Sequence, residues 1–230
     1  MSETLVYIVR HCQGQGNVDG TLRGRYDHEI TETGWKQLEV LSHLTAPIPF
    51  EQVYTSPLKR ANETGKAANR TAKAPLEIYE PLIEVDFGEL DGQIWNELPG
   101  RYPELMKAWD ERADLVEFPG GETMLGAMKR ITAAFWHCVS ASRGKVILLA
   151  GHGSAFRTLH CVLNGWPPEM LSQTPRMVNT GLSCFRVTED DRVIPVFQMK
   201  EDHIQPERAA ELLADAPDEE IQASLAYLPR

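Results

Sequence analysis

The chain has 230 residues, 42% of them hydrophobic, which is ample for one sizeable core and an ordinary globular enzyme. No stretch approaches the ~20 apolar residues that a helical membrane span needs. The net charge of −10, with no Lys/Arg cluster, argues against nonspecific nucleic-acid binding and requires any anionic ligand to be met by positive charge gathered locally.

Leu5-Val6-Tyr7-Ile8-Val9 reads as a short buried parallel strand ending at Arg10-His11. A Gly-rich polar loop follows over 12–30, and Thr31-Glu-Thr-Gly34 opens a helix that the Pro47-Ile-Pro49 pair closes. Gln52–Thr55 is a second strand, after which Ser56-Pro57 reads as an N-cap and first helical position of a helix to about Arg70. Leu76–Tyr79 is a third strand. Residues 92–120, with prolines at 99, 103 and 119, look like a small helical insert. Glu122 to about Ser142 forms a long helix, and Lys145–Ala150 is the clearest buried strand, stopped by Gly151-His152-Gly153 ahead of a helix over 154–163. Ser183–Val187 and Val193–Phe197, joined through a Glu-Asp-Asp turn, form a hairpin or adjacent edge strands. Residues 201–230 hold eight Asp or Glu against Arg208 and Arg230, and are expected to form one or two exposed helices or partial disorder outside the catalytic machinery.

This alternation predicts an α/β fold: a three-layer α/β/α sandwich with a mainly parallel sheet. The expected organisation is one domain over 1–200, an insert over about 92–120, and an acidic C-terminal tail over 201–230. Cys12, Cys138, Cys161 and Cys184 lack metal or redox spacing and are expected to be reduced thiols. Met1-Ser2-Glu3-Thr4 lacks a basic n-region, so a cytoplasmic location is expected, with neither membrane nor nucleic acid as partner.

Ligands of such sheets bind beyond the carboxyl ends of the strands. Arg10-His11, Arg60, Glu84 and His152 all fall there. Two arginines and two histidines would make a cationic pocket for a tetrahedral dianion, because the guanidinium fork matches phosphate oxygens and stays charged. A neutral imidazole can attack phosphorus, a second can donate to an equatorial oxygen, and a carboxylic acid can protonate the departing alkoxide.

The ordered motifs Arg10-His11-Cys12-Gln13-Gly14, Asn17, Gly24-Arg-Tyr-Asp27, Ser56-Pro-Leu58-Lys-Arg60-Ala61-Asn-Glu-Thr64, Glu84-Val-Asp-Phe87-Gly88, Gly120-Gly121-Glu122-Thr123 and Gly151-His152-Gly153 carry a resemblance. Over residues 4–200 the chain resembles the histidine phosphatase superfamily, in the branch of cofactor-dependent phosphoglycerate mutases and fructose-2,6-bisphosphatase-like phosphatases. The resemblance implies that His11 is the phosphorylated nucleophile, that Arg10, Arg60, His152 and Asn17 hold the phosphate, and that Glu84 is the proton donor and then the base for water. It also implies a small phosphate ester as substrate, with no cofactor and no metal.

The chain departs from the family pattern at Cys12, Gln13 and Gly14, where glycine, glutamate and threonine are usual, and at Thr21 and Glu29. Cys12 beside Arg10 is either a packed or a reactive thiol. The insert offers only separated Arg101, Lys107 and Arg112, not the adjacent arginine pair of the mutases, which favours a phosphatase. Trp95, Tyr102 and Trp109 there fit either a cap over a partly apolar leaving group or packing between surface helices. The alternatives are a phosphoglycerate mutase-type phosphotransferase and a noncatalytic binding module of the same fold.

Overall fold

Leu5 to Val9 are all buried, and the pleat of strand β1 (Thr4–Arg10) sends them alternately to two cores. The computed structural model describes residues 3–214 and 218–228. Leu5, Tyr7 and Val9 pack with Leu41 and Leu44 of helix α2 (Glu32–Leu44), a layer shared with α3 (Lys59–Ala68). Val6 and Ile8 pack on the opposite face with Phe135 of α6 (Met124–Ala141) and Phe156 of α7 (Gly153–Leu163). Helix, sheet and helix make the three layers expected.

The six strands lie in the order β3-β2-β4-β1-β5-β6, with β2 Gln52–Thr55, β3 Leu76–Ile78, β4 Val146–Gly151, β5 Leu182–Val187 and β6 Val193–Lys200. β1 to β4 run parallel, whereas β5 is antiparallel to β1 and forms the expected hairpin with β6. Register positions the site. Arg10 pairs with Gly151 and Thr55 with Ala150, so His11, His152 and Ser56 emerge side by side at the carboxyl edge.

Thr31 and Thr123 start α2 and α6, each hydroxyl accepting from an N–H three residues on, at 3.0 and 2.9 Å. Ser56 does not cap the following helix: α3 begins at Lys59, and the Ser56 hydroxyl bonds His152 Nε2 at 2.7 Å. The short helix α1 (Gln15–Asp19) sits in the loop after β1. The insert holds α4 (Leu98–Arg101) and α5 (Pro103–Glu111), whose Met106 and Trp109 pack with Phe87, Phe118 and Met124 as a third cluster.

The acidic segment after 200 is held more closely than its polarity suggested. Helices α8 (Pro206–Leu213) and α9 (Glu219–Ser224) place Leu212 and Ile221 in the core beneath α2, and Tyr7 Oη shares a 2.7 Å hydrogen bond with Ser224. Lys200, its side chain only 6% exposed, meets Asp202, Asp218 and Glu220 at 2.9 to 3.3 Å, which offsets one of these three negative charges and ties the segment to β6. Leu212 and Ile221, too few for a periodic pattern, dock the segment together with the partly buried Ala209 and Leu228. Ile221→Ala is therefore expected to lower unfolding free energy in urea by about 2–4 kcal/mol. A change below about 0.5 kcal/mol would show that α9 does not dock in solution.

Candidate active site

The first turn of α7 follows directly from β4, so its free N–H groups open onto the edge where β1 ends. Glu84, only 6% exposed, occupies that turn: Oε1 accepts from Ala155 N at 2.8 Å and Val85 N at 2.9 Å, and Oε2 from Ser154 N at 3.0 Å. The carboxylate thus complements the helix dipole and is fixed in orientation. Around it lies a cavity of about 200 Å³ whose walls include Arg10, His11, Asn17, Arg60 and Glu84. The sixth residue singled out, His152, is fully buried beside His11, with the ring centroids 5.2 Å apart.

His11 Nδ1 lies 2.7 Å from the carbonyl oxygen of Cys12. A carbonyl only accepts, so Nδ1 carries the proton and Nε2 keeps its lone pair. Burial, then the charges of Arg60 and Arg10, hold His11 well below the ordinary imidazole value of 6.5. Burial and Arg60 do the same to His152, whose Nδ1 has no hydrogen-bond partner. Both rings are therefore neutral at pH 7.

The arginines are anchored on one side and free on the other. Arg60 gives its Nη groups to the carbonyls of Tyr26, Arg23 and Gly24, at 2.9 to 3.1 Å, and Arg10 gives Nη1 to Met177 O at 2.5 Å. The Nε of each is buried without a partner. Asp91 fixes the loop that receives Arg60 by accepting from Gly24 N at 2.6 Å. Gly153 lets Arg10 pass, since a β-carbon there would lie 3.1 Å from its Nε. Asn17 turns Oδ1 to Gly14 N at 3.0 Å, which leaves the Nδ2 group as a donor.

The altered residues after His11 have steric consequences. Cys12 has no left-handed backbone, is fully buried, and burial pushes its thiol up to about 11, so it is packed rather than reactive. Gly14 faces the His28 imidazole: a β-carbon would sit 2.0 Å from that ring. Loss of the usual threonine thus admits His28, which lines the cavity. His28, Arg23, Arg157 and Arg176 also line the cavity, at positions that no sequence motif marks. Trp95, Tyr102 and Trp109 are expected from the sequence over the ligand or packed between surface helices. They pack within the insert and do not line the cavity, whose apolar wall is Leu22 and Phe87.

The family model of the histidine phosphatase superfamily (branch 1) matches residues 6–199. The chain belongs to this superfamily. It is 27% identical over 158 residues to phosphoserine phosphatase 1 of Hydrogenobacter thermophilus, covering 69% of this chain and 75% of that protein. It is 30% identical over 202 residues to a 2,3-bisphosphoglycerate-dependent phosphoglycerate mutase of Brucella anthropi, covering 84% and 96%. Among solved structures, Bacillus stearothermophilus YhfR superposes with a TM-score of 0.83 at 23% identity, over 88% of this chain and all of that one. The present protein is an enzyme of the histidine phosphatase type, and the phosphatase reading fits its relatives.

The electrostatics can be checked without turnover. Nitrogen-15 shifts of His11 and His152 are expected to report neutral rings at pH 6.5, His11 as the Nδ1–H tautomer, with charging only well below that pH. A midpoint at or above 6.5 for either ring would contradict the desolvation described.

Proposed function

We propose that the protein hydrolyses small phosphate monoesters without a metal ion, through a phosphohistidine at His11. What supports this most is one arrangement: a neutral His11 whose Nε2 makes no protein hydrogen bond among the described residues, set among buried Arg10, Arg60 and His152 donors that lack partners. Buried donors are normally satisfied, and a tetrahedral anion would satisfy these together.

In this mechanism the Nε2 lone pair forms the N–P bond as the bond from phosphorus to the leaving oxygen breaks. Arg10 and Arg60 neutralise the equatorial oxygens, so their charge performs the task that a divalent ion performs elsewhere. His152 donates Nδ1–H to one of those oxygens while its Nε2 accepts from the Ser56 hydroxyl, and Asn17 adds a neutral donor. Glu84, fixed on α7, gives its proton to the leaving oxygen. Water then attacks phosphorus, Glu84 takes a proton from it, the N–P bond breaks, and inorganic phosphate leaves His11 as it began. Among the described residues no helix is long and apolar enough to cross a membrane. All four cysteines are buried free thiols, which suits the reducing cytoplasm we assign.

A mutase shares the first half of this cycle and differs in the acceptor. Phosphate release measured beside transfer to added phosphoglycerate distinguishes the two, and release is expected to be the faster.

Glu84→Gln is expected to lose at least about a hundredfold in kcat on an alkyl phosphate and much less on p-nitrophenyl phosphate, whose leaving group needs little protonation. Equal losses would remove Glu84 from the acid role. Turnover of p-nitrophenyl phosphate is expected to stay within about twofold in excess EDTA, and its abolition with recovery on adding magnesium would contradict the metal-free mechanism. Ser56→Ala is expected to lower kcat about tenfold with little change in fold, because His152 loses the partner that sets its tautomer.

A further inference from the structure

The chemistry above uses two of the arginines in the cavity wall. Five line it, Arg10, Arg23, Arg60, Arg157 and Arg176, against the single carboxylate of Glu84. Asp27 reaches Arg60 at 3.8 Å, yet one phosphate dianion still leaves an excess of positive charge, and Arg157 and Arg176 take no part in the chemistry described.

Arg157 lies on the same face of α7 as Ser154, whose N–H binds Glu84, and helical side chains lean back toward the N-terminus. Its Nε and Nη2 are committed to the carbonyls of Thr174 and Ser172 at 2.9 and 2.7 Å. Its Nη1 is buried without a partner, in a side chain 4% exposed. Those two bonds also fix the segment that leads into Arg176. The Arg176 guanidinium is packed against Trp95 and Trp109, at 5.7 and 5.4 Å from the ring centroids, which fixes its plane and leaves its edge donors for a ligand. Among the described residues neither guanidinium has a carboxylate within ion-pair distance; Asp110 acts on both only from farther away. The buried Nε1 of Trp109 also has no acceptor.

We propose that Arg157 and Arg176 form a second anion subsite, which selects phosphate esters whose leaving group carries a carboxylate. This rests on the phosphatase reading and deepens it. The proton donor caps the first turn of the helix that carries Arg157, and both line the cavity, which puts the subsite on the side where the leaving group departs. A cavity of about 200 Å³ is below the usual range for drug-sized ligands and admits a short acid rather than a nucleoside. The planar fork of Arg176 and the single free Nη1 of Arg157 suit the two oxygens of a carboxylate. The arginine pair missing from the insert is thus supplied by α7 and by the strand-entry loop before β5.

The test uses a matched pair, 3-phosphoglycerate and glycerol 3-phosphate, which differ only in a carboxylate against a hydroxymethyl group. The wild-type protein is expected to favour the carboxylate ester by at least about tenfold in kcat/KM, mainly through KM. Arg176→Ala is expected to bring that ratio close to one, and Arg176→Lys to restore part of it, because lysine keeps the charge and loses the fork. A wild-type ratio near one, or a ratio unchanged in Arg176→Ala, would overturn the subsite while leaving hydrolysis intact. If neither ester nor p-nitrophenyl phosphate is hydrolysed, the phosphatase reading has failed instead. The subsite is then decided by calorimetric titration of the His11→Ala protein with the same two esters. A Kd difference of about tenfold that Arg176→Ala abolishes supports it, and equal Kd values overturn it.

Discussion

Guanidinium groups do not give up their proton when they are buried, so a protein that buries several must hold them and supply a counter-charge. Here the holding is done by backbone carbonyls: Arg23, Gly24 and Tyr26 for Arg60, Met177 for Arg10, Ser172 and Thr174 for Arg157. Carbonyls orient an arginine without neutralising it. The positive potential stays in the cavity, and together with burial, the larger cause, it keeps His11 and His152 neutral by making their protonation costly. Nucleophile, phosphate clamp and substrate attraction thus follow from anchoring these arginines chiefly by dipoles, with Asp27, 3.8 Å from Arg60 Nη1, the one carboxylate within ion-pair distance of Arg10, Arg60 or Arg157 among the described residues. The exception proves useful. Glu84, the carboxylate in the cavity wall, binds three backbone N–H groups instead of an arginine, which fixes its orientation toward the cavity.

The fold serves this by register. Parallel pairing of β1, β4 and β2 brings residues distant in sequence to one edge, and α7 presents its N-terminus there. The cores on both faces of the sheet keep that edge rigid, and the docked helices after residue 200 extend one of them.

Much of this was legible in the sequence because strand ends and local motifs coincide. Arg10-His11 and His152 follow apolar runs, and the hairpin of β5 and β6 is bracketed by a turn. What was missed is what only tertiary structure creates. Ser56 has the composition of an N-cap, but the helix starts later and the hydroxyl serves His152. Arg157 sits mid-helix, where arginine is ordinary, and Arg176 lies in a loop with no pattern, so neither advertises the cavity. His28 became a lining residue only because Gly14, far along the loop, has no side chain to exclude it. The acidic segment forms the two helices its composition allowed, and what that composition does not show is that Leu212 and Ile221 decide where they go. Departures from the family pattern near His11 therefore reshape the wall of the cavity and leave the neutral imidazole in place.

Everything in this account depends on His11 Nε2 being the atom that takes the phosphoryl group. The direct measurement is a rapid quench during turnover of a phosphorus-32-labelled ester, followed by peptide mapping under alkaline conditions that preserve phosphohistidine. The expected result is one acid-labile, base-stable phosphoryl group on the peptide that contains His11, appearing before inorganic phosphate and absent in His11→Ala. Label on the Cys12 side chain, or phosphate released by His11→Ala at the wild-type rate with no adduct at any time, would contradict it.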